Sequence, residues 1–145
     1  MIRPISPNDE AQWRVLWAGY CTFYKEDVAE EVTSGLLNRL FAPEGVVRGI
    51  VATDDEGYLL GFAHYVLHPH TWSERTLCYL EDLYVSPDAR GKGVGKALID
   101  HLIALGRENH WKRVYWHTEI DNETARRLYD RFGPADPYVR YTVSL

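Results

Sequence analysis

The chain has only two cysteines, Cys21 and Cys78, and their spacing is not that of a metal site. Both read as buried free thiols, one on a helix and one on a strand. No apolar run approaches the length of a membrane span, and Met1-Ile2-Arg3-Pro4 carries no apolar signal-peptide core, so the expected setting is the cytoplasm, away from membrane. Positive charge is also scarce. With 16 Lys and Arg against 21 Asp and Glu, the net charge of −5 speaks against bulk attraction to nucleic acid and mildly favours a cationic partner. There is no repeat, linker or low-complexity tail, so residues 1–145 read as one domain, long enough to bury roughly two-thirds of its unfolded surface. Two phosphate-binding signatures are missing as well: no G-K-[ST] closes a Walker loop, and no G-x-G-x-x-G is present.

What is present is a strand, a glycine-rich loop and a helix in succession. Leu77 to Val85 is aliphatic, aromatic and β-branched, and stops at Ser86-Pro87, as a buried strand does. Glu81 and Asp82 are its only charges. Simple alternation would set Glu81 on the face of Tyr79 and Leu83, and Asp82 on the face of Leu80 and Tyr84. Arg90-Gly91-Lys92-Gly93-Val94-Gly95 follows and runs into a helix with apolar residues at Val94, Ala97, Leu98, Leu102 and Leu105. Glycine lets backbone N–H groups come close to a ligand, and the first N–H groups of a helix lack intrahelical partners and carry the positive end of its dipole. The junction therefore suits a phosphate or pyrophosphate, with Arg90, Lys92 and Lys96 adding charge. A tight turn that uses glycine only for its shape is the plainer alternative.

Along the rest of the chain, Ile2 to Ile5 reads as a first strand, and Ser6-Pro7-Asn8-Asp9 as a helix start. Trp13, Leu16, Trp17, Tyr20, Phe23 and Tyr24 form one aromatic stripe, either core or, at Tyr20 and Tyr24, the lining of a substrate cleft. Asp27 is the expected cap of a second helix bearing Val28, Val32, Leu36 and Leu40. Its acidic start, Glu26 to Glu31, serves the helix dipole or a cation-attracting rim. Val46 to Thr53 and Tyr58 to Leu67 read as a hairpin turning at Asp54-Asp55-Glu56-Gly57. His68 to Thr76, with Trp72 at its middle, reads as a loop on the substrate side or at a subunit contact. His64, His68 and His70 lack the supporting ligands of a metal site, so no metal is expected. Arg113 to Thr118 is a further strand, Asp121 or Asn122 caps a helix with Ala125, Leu128, Tyr129 and Phe132, and Tyr138 to Ser144 is expected as the final strand. The pattern is α/β (α+β), a mixed sheet flanked by helices.

The run R-x-x-G-x-G, with Arg90, Gly93 and Gly95 after an L-x-V-x-P strand, resembles the acyl-CoA loop of the GNAT superfamily of N-acetyltransferases. A second motif, Asn122-x-x-Ala125-x-x-Leu128-Tyr129, and the order of elements extend the likeness over essentially the whole chain. The resemblance implies the GNAT fold, with strands splayed at the cofactor site, acetyl-CoA as acyl donor and a homodimer. It implies that Leu83, Tyr84 and Val85 hold the acyl and pantetheine portions through their backbone, that Arg90, Gly91, Lys92, Gly93, Val94, Gly95 and Lys96 hold the pyrophosphate, and that Asn122 touches the cofactor. Tyr129 matches the acid that protonates the departing sulfur. The run Tyr79 to Val85 looks like that of diamine acetyltransferases, where the first carboxylate of the pair is proposed as base. Gly133-Pro134 departs from the family pattern and leaves the terminal strand's geometry open.

The chemistry agrees from the other direction. An alkylamine of pKa about 10.4 is neutral in only ~0.1% of molecules at pH 7, so transfer needs a carboxylate to take its proton. Glu81 is the first candidate and Asp82 the second, the alternative being that both pair with Arg or Lys from neighbouring elements. The expected acceptor is a small polyamine-like amine, held between the carboxylates, the acidic stretch and the rings of Tyr20, Tyr24 and Trp72. A protein lysine or N-terminal amine is the rival acceptor. A non-catalytic acyl-CoA-binding module is the rival of another class, disfavoured by the presence of both Glu81 and Tyr129.

Overall fold

The computed structural model describes all 145 residues, Met1 to Leu145. Its centre is a five-stranded sheet in the order β1 (Ile2–Pro4), β2 (Val47–Thr53), β3 (Leu59–His70), β4 (Ser73–Val85) and β5 (Arg113–Tyr115). Successive strands pair antiparallel up to β4, and β5 lies parallel to β4. The parallel pair requires a crossover, and α3 (Val94–Glu108) supplies it. Helices α1 (Glu10–Phe23) and α2 (Glu30–Leu40) cover one face, where Trp13, Leu16, Leu36, Leu37 and Leu40 pack with Val51 and Phe62. On the other face Leu98, Ile99 and Leu102 of α3 pack with Ile50, Ala63, Tyr65, Cys78 and Leu80. The short α4 (Glu123–Tyr129) brings Leu128 and Tyr129 to the edge of this second cluster. The whole is an α+β arrangement.

Local chemistry explains most boundaries. The Asp9 carboxylate accepts from the Ser6 amide at 2.8 Å and from both terminal nitrogens of Arg3 at 2.7 and 2.8 Å, tying β1 to the turn that starts α1. Asn122 caps α4, its Oδ1 accepting from the Ala125 amide at 3.2 Å. The cap of α2 differs from expectation: Ala29 holds that place, its carbonyl receiving the amides of Val32 and Thr33, and Asp27 lies outside the helix. Residues 68–76 are also not a loop, because β3 and β4 continue as one long hairpin that turns at Thr71 and Trp72.

The expected last strand is absent. Residues 134–145 are irregular and exposed, with Tyr138, Val139, Tyr141 and Val143 all standing clear of the body. The segment has strand-like composition but no neighbour to donate its backbone to, and an unpaired strand is not stable alone. β5 stops at Tyr115 for a related reason. Its pairing with β4 covers only Leu77–Arg113, Cys78–Val114 and Tyr79–Tyr115, and the two strands then part.

Candidate active site

One extra residue in β4 shapes the site. His64 faces Asp82 across the ladder while Tyr65 faces Leu80, so Glu81 has no partner and forms a β-bulge. The expected placement of the two carboxylates on opposite faces is thereby corrected. Leu83, Leu80 and Cys78 all pack toward α3, while Tyr84 and Asp82 point toward α1, so alternation breaks between Leu80 and Asp82. Glu81 stands beside Asp82, near enough that the Asp82 charge helps to raise its pKa, after the larger effect of burial, while His117 opposes the rise.

Asp82 is held at both oxygens. The Tyr20 hydroxyl donates to Oδ1 at 2.6 Å, and His64 Nδ1 lies 2.8 Å from Oδ2. On the far side of the imidazole, the Trp13 indole N–H donates to His64 Nε2 at 2.9 Å. Burial first, and then the Asp82 charge, hold the Tyr20 phenol far above its ordinary range, so it remains a donor.

Aromatic rings wall this pair. Tyr24 lies 4.8 Å from Tyr20 between ring centres, and Tyr79 packs 5.1 Å from Tyr115 and 5.3 Å from His117. His117 Nδ1 is 3.1 Å from the Tyr79 hydroxyl. Burial first, and the Glu81 charge to a lesser degree, raise the pKa values of Tyr20, Tyr79 and Tyr115, so these rings and Glu81 share one neighbourhood, the chamber.

Beside the chamber, β4 separates from β5. From Leu80 to Val85 the strand is paired only on its β3 side, so backbone groups of Leu83, Tyr84 and Val85 on the other side are left for a ligand. Next comes the glycine loop. Gly91 and Gly93 have φ of 75° and 80°, conformations that side chains disfavour, and a Cβ on either would meet nothing within 4 Å. The loop is thus an open cradle ahead of the free N–H groups of Val94, Gly95 and Lys96 at the start of α3. Arg90 donates from Nε to the Val85 carbonyl at 3.1 Å, and Lys96 is turned to Asp100 at 2.6 Å. Lys92 remains exposed in the loop. Gly95 faces another way: a Cβ there would sit at ordinary contact distance from Leu128, 3.4 Å, where α4 packs on α3.

That contact places Tyr129. Its ring packs edge-on against Trp116 at 5.5 Å, and burial, with a lesser effect from Tyr24 across the opening, raises its pKa. No buried polar side-chain atom in the chain lacks a partner, so the Tyr129 hydroxyl, which bonds to no other residue, reaches solvent.

Tyr20, Tyr24, Glu81 and Asp82 come together, but Trp72 does not join them. It is 86% exposed at the hairpin tip, about ten residues up β4 and hence roughly 30 Å from Asp82, which corrects its expected place against the same cation. The histidines separate too: His68 contacts the Tyr115 hydroxyl at 2.6 Å, His70 packs with Trp72, and His64 lies under Asp82. No three His, Cys, Asp or Glu side chains gather as metal ligands. Trp13, His64, Tyr79, Tyr115 and His117 are the site residues that sequence reasoning passed over. Only His64 carried a signal, since a histidine in an apolar strand next to a carboxylate-bearing strand needs a polar partner.

The acetyltransferase (GNAT) family model matches residues 11–133. The D-amino-acid N-acetyltransferase HPA3 of Saccharomyces cerevisiae is 36% identical over 142 residues, covering 97% of this chain and 88% of that protein. The aminoglycoside N(6')-acetyltransferase type 1 of Klebsiella aerogenes is 31% identical over 131 residues, 86% of this chain and 78% of that protein. Among solved structures, a probable acetyltransferase superposes with a TM-score of 0.88 at 25% identity, over 100% of this chain and 97% of that one.

Proposed function

The chain belongs to the GNAT family of acetyltransferases, and on that premise we propose that it transfers an acetyl group from acetyl-CoA to a primary amine, with a small cationic amine as the favoured acceptor. The observation that carries this reading is the bulge in β4 that sets the exposed Glu81 beside the half-buried Asp82, close to the Tyr20 hydroxyl and next to the parted strands. A cation suits that chamber because carboxylates and ring faces both attract it.

The residues fit an acyl-CoA. Gly91 and Gly93 give the open cradle, the first amides of α3 and Arg90 and Lys92 favour phosphate, and the free backbone of Leu83 to Val85 can align an extended chain. When bound, acetyl-CoA supplies the acetyl thioester. Asp82 holds the ammonium, and Glu81 takes its proton, because a carboxylate of raised pKa accepts a proton more readily than one held by two donors. A backbone N–H of Leu83 or its neighbour polarises the thioester carbonyl. With the donor bound, the neutral amine nitrogen would bond to the carbonyl carbon and the carbon–sulfur bond would break; Tyr129 would give its proton to the sulfur and regain one from the acylated nitrogen, which sheds its second proton. Asn122 is assigned a cofactor contact beside its role as cap.

One observation favours an amino acid as a second acceptor class. The relative HPA3 is named as a D-amino-acid N-acetyltransferase, so an acceptor whose amine stands beside a carboxylate belongs in the same test. The chain is also proposed to act as a homodimer, because the exposed apolar side chains of residues 138–145 and the open edge of β5 remain uncovered in one copy.

A thiol-release assay with acetyl-CoA across diamines, polyamines, D- and L-amino acids, an aminoglycoside and a lysine peptide tests the reading. Turnover with a small amine supports it. A peptide preference of tenfold or more in kcat/KM, about 1.4 kcal/mol of transition-state binding, defeats the small-amine assignment, and thiol release with no acceptor in the panel defeats the reaction.

A further inference from the structure

We infer that Trp13 and His64 are positioning residues for the acceptor: the Trp13 indole fixes the imidazole with its proton on Nδ1, and that N–H, together with the Tyr20 hydroxyl, clamps the Asp82 carboxylate that receives the ammonium. The inference rests on the reading of Asp82 as the amine anchor.

The chain of bonds allows one arrangement of protons. An indole N–H can only donate, so His64 Nε2, 2.9 Å away, must be an unprotonated acceptor. The ring proton of the neutral imidazole is then on Nδ1, 2.8 Å from Asp82 Oδ2, where it donates. Tyr20 donates to Oδ1. Asp82 therefore faces the chamber as an acceptor with both oxygens oriented and lone pairs to spare. Trp13 is fully buried and stacked 5.6 Å from Trp17, and His64 is 2% exposed and stacked 4.4 Å from Phe62, so neither ring can turn without breaking core packing. A second N–H on the imidazole would point at the indole and have nothing to bond. The indole thus fixes one tautomer of the ring, the one whose N–H meets the Asp82 carboxylate.

The groups that face His64 bear this out. Asp82 is the one charged side chain in contact with it, with Glu81 beyond on β4 and Tyr20, Cys21 and Tyr24 sensing Asp82 from α1. β2 presents Gly49 and the neighbouring position of β3 presents Phe62, neither of which titrates.

Three variants of the full chain test the assignment, each with an active wild type as reference and with the acetyl-CoA-induced thermal shift as control for folding. His64→Leu removes the donor and should raise the amine KM about tenfold or more, a factor that corresponds to roughly 1.4 kcal/mol. His64→Asn offers an N–H near the position of Nδ1 and should restore KM to within about threefold. Trp13→Phe frees Nε2 and with it the choice of tautomer, so the amine KM should rise severalfold while kcat is kept. Equal KM values for His64→Leu and wild type, equal losses in the Leu and Asn variants, or an unchanged KM in Trp13→Phe overturn the inference. Nitrogen NMR of the His64 ring gives a readout apart from turnover: the wild type should show the Nδ1–H tautomer alone, and Trp13→Phe a mixture of the two tautomers. The opposite tautomer in the wild type overturns the clamp even in an inactive protein, whereas absence of turnover with the expected tautomer counts against the reaction alone.

Discussion

Glu81 and Asp9 carry opposite consequences for pH. Burial and the Asp82 charge raise the Glu81 pKa, so the acidic limb of kcat/KM should fall above the ordinary glutamate value of about 4.3. Glu81→Gln is expected to lower kcat about a hundredfold and to erase that limb, as a pH–rate profile would show. Since a raised carboxylate contributes stability below its unfolded pKa and loses it as pH rises through the folded one, the same variant should melt no lower than wild type at pH 7. Asp9 runs the other way. The hydrogen bond from Arg3 leads in lowering its pKa, so its contribution is present above the unfolded value and lost as pH falls through the folded one. Asp9→Asn should cost about 2 kcal/mol at neutral pH in urea unfolding, and the gap should narrow in acid.

Among the elements, the loop before α3 is the clearest test of the donor. Gly93→Val forces a β-branched residue to a φ of 80° and should remove the thermal stabilisation by acetyl-CoA, whereas the wild type should gain about 2.7 kcal/mol at a hundred times Kd. This loop and α3 were legible in the sequence because glycines, a strand end and a helical stripe lie next to one another. Asn122 and the start of α1 were legible through their caps. The hairpin at Trp72 was hidden by Pro69, which reads as a loop residue yet occurs near the end of β3. Tyr138 to Ser144 has the composition of a strand, but a strand is defined by its partner, and composition says nothing of whether one is at hand. The relation of Asp82 to His64 and Trp13 joins three elements far apart in sequence, and only the fold displays it.

For the molecule as a whole, the open β5 edge and the uncovered segment beyond Pro137 make association the natural variable. The full chain should behave as a dimer in light scattering and a chain ending at Pro137 as a monomer, and equal masses would remove the case for pairing through this segment. The bulge in β4 reaches further than its size. Which side of a sheet a residue faces is a matter of odd and even positions, so a single inserted residue reverses the assignment of everything upstream while changing no other identity. Glu81 is that residue, and deleting it should leave a regular ladder in which His64 still meets Asp82 and Tyr65 still meets Leu80. The shortened protein should fold at least as stably as the parent yet lose turnover to the level of Glu81→Gln. In the proposed mechanism the proton acceptor enters the chamber by a count of residues, an instruction that no substitution can write.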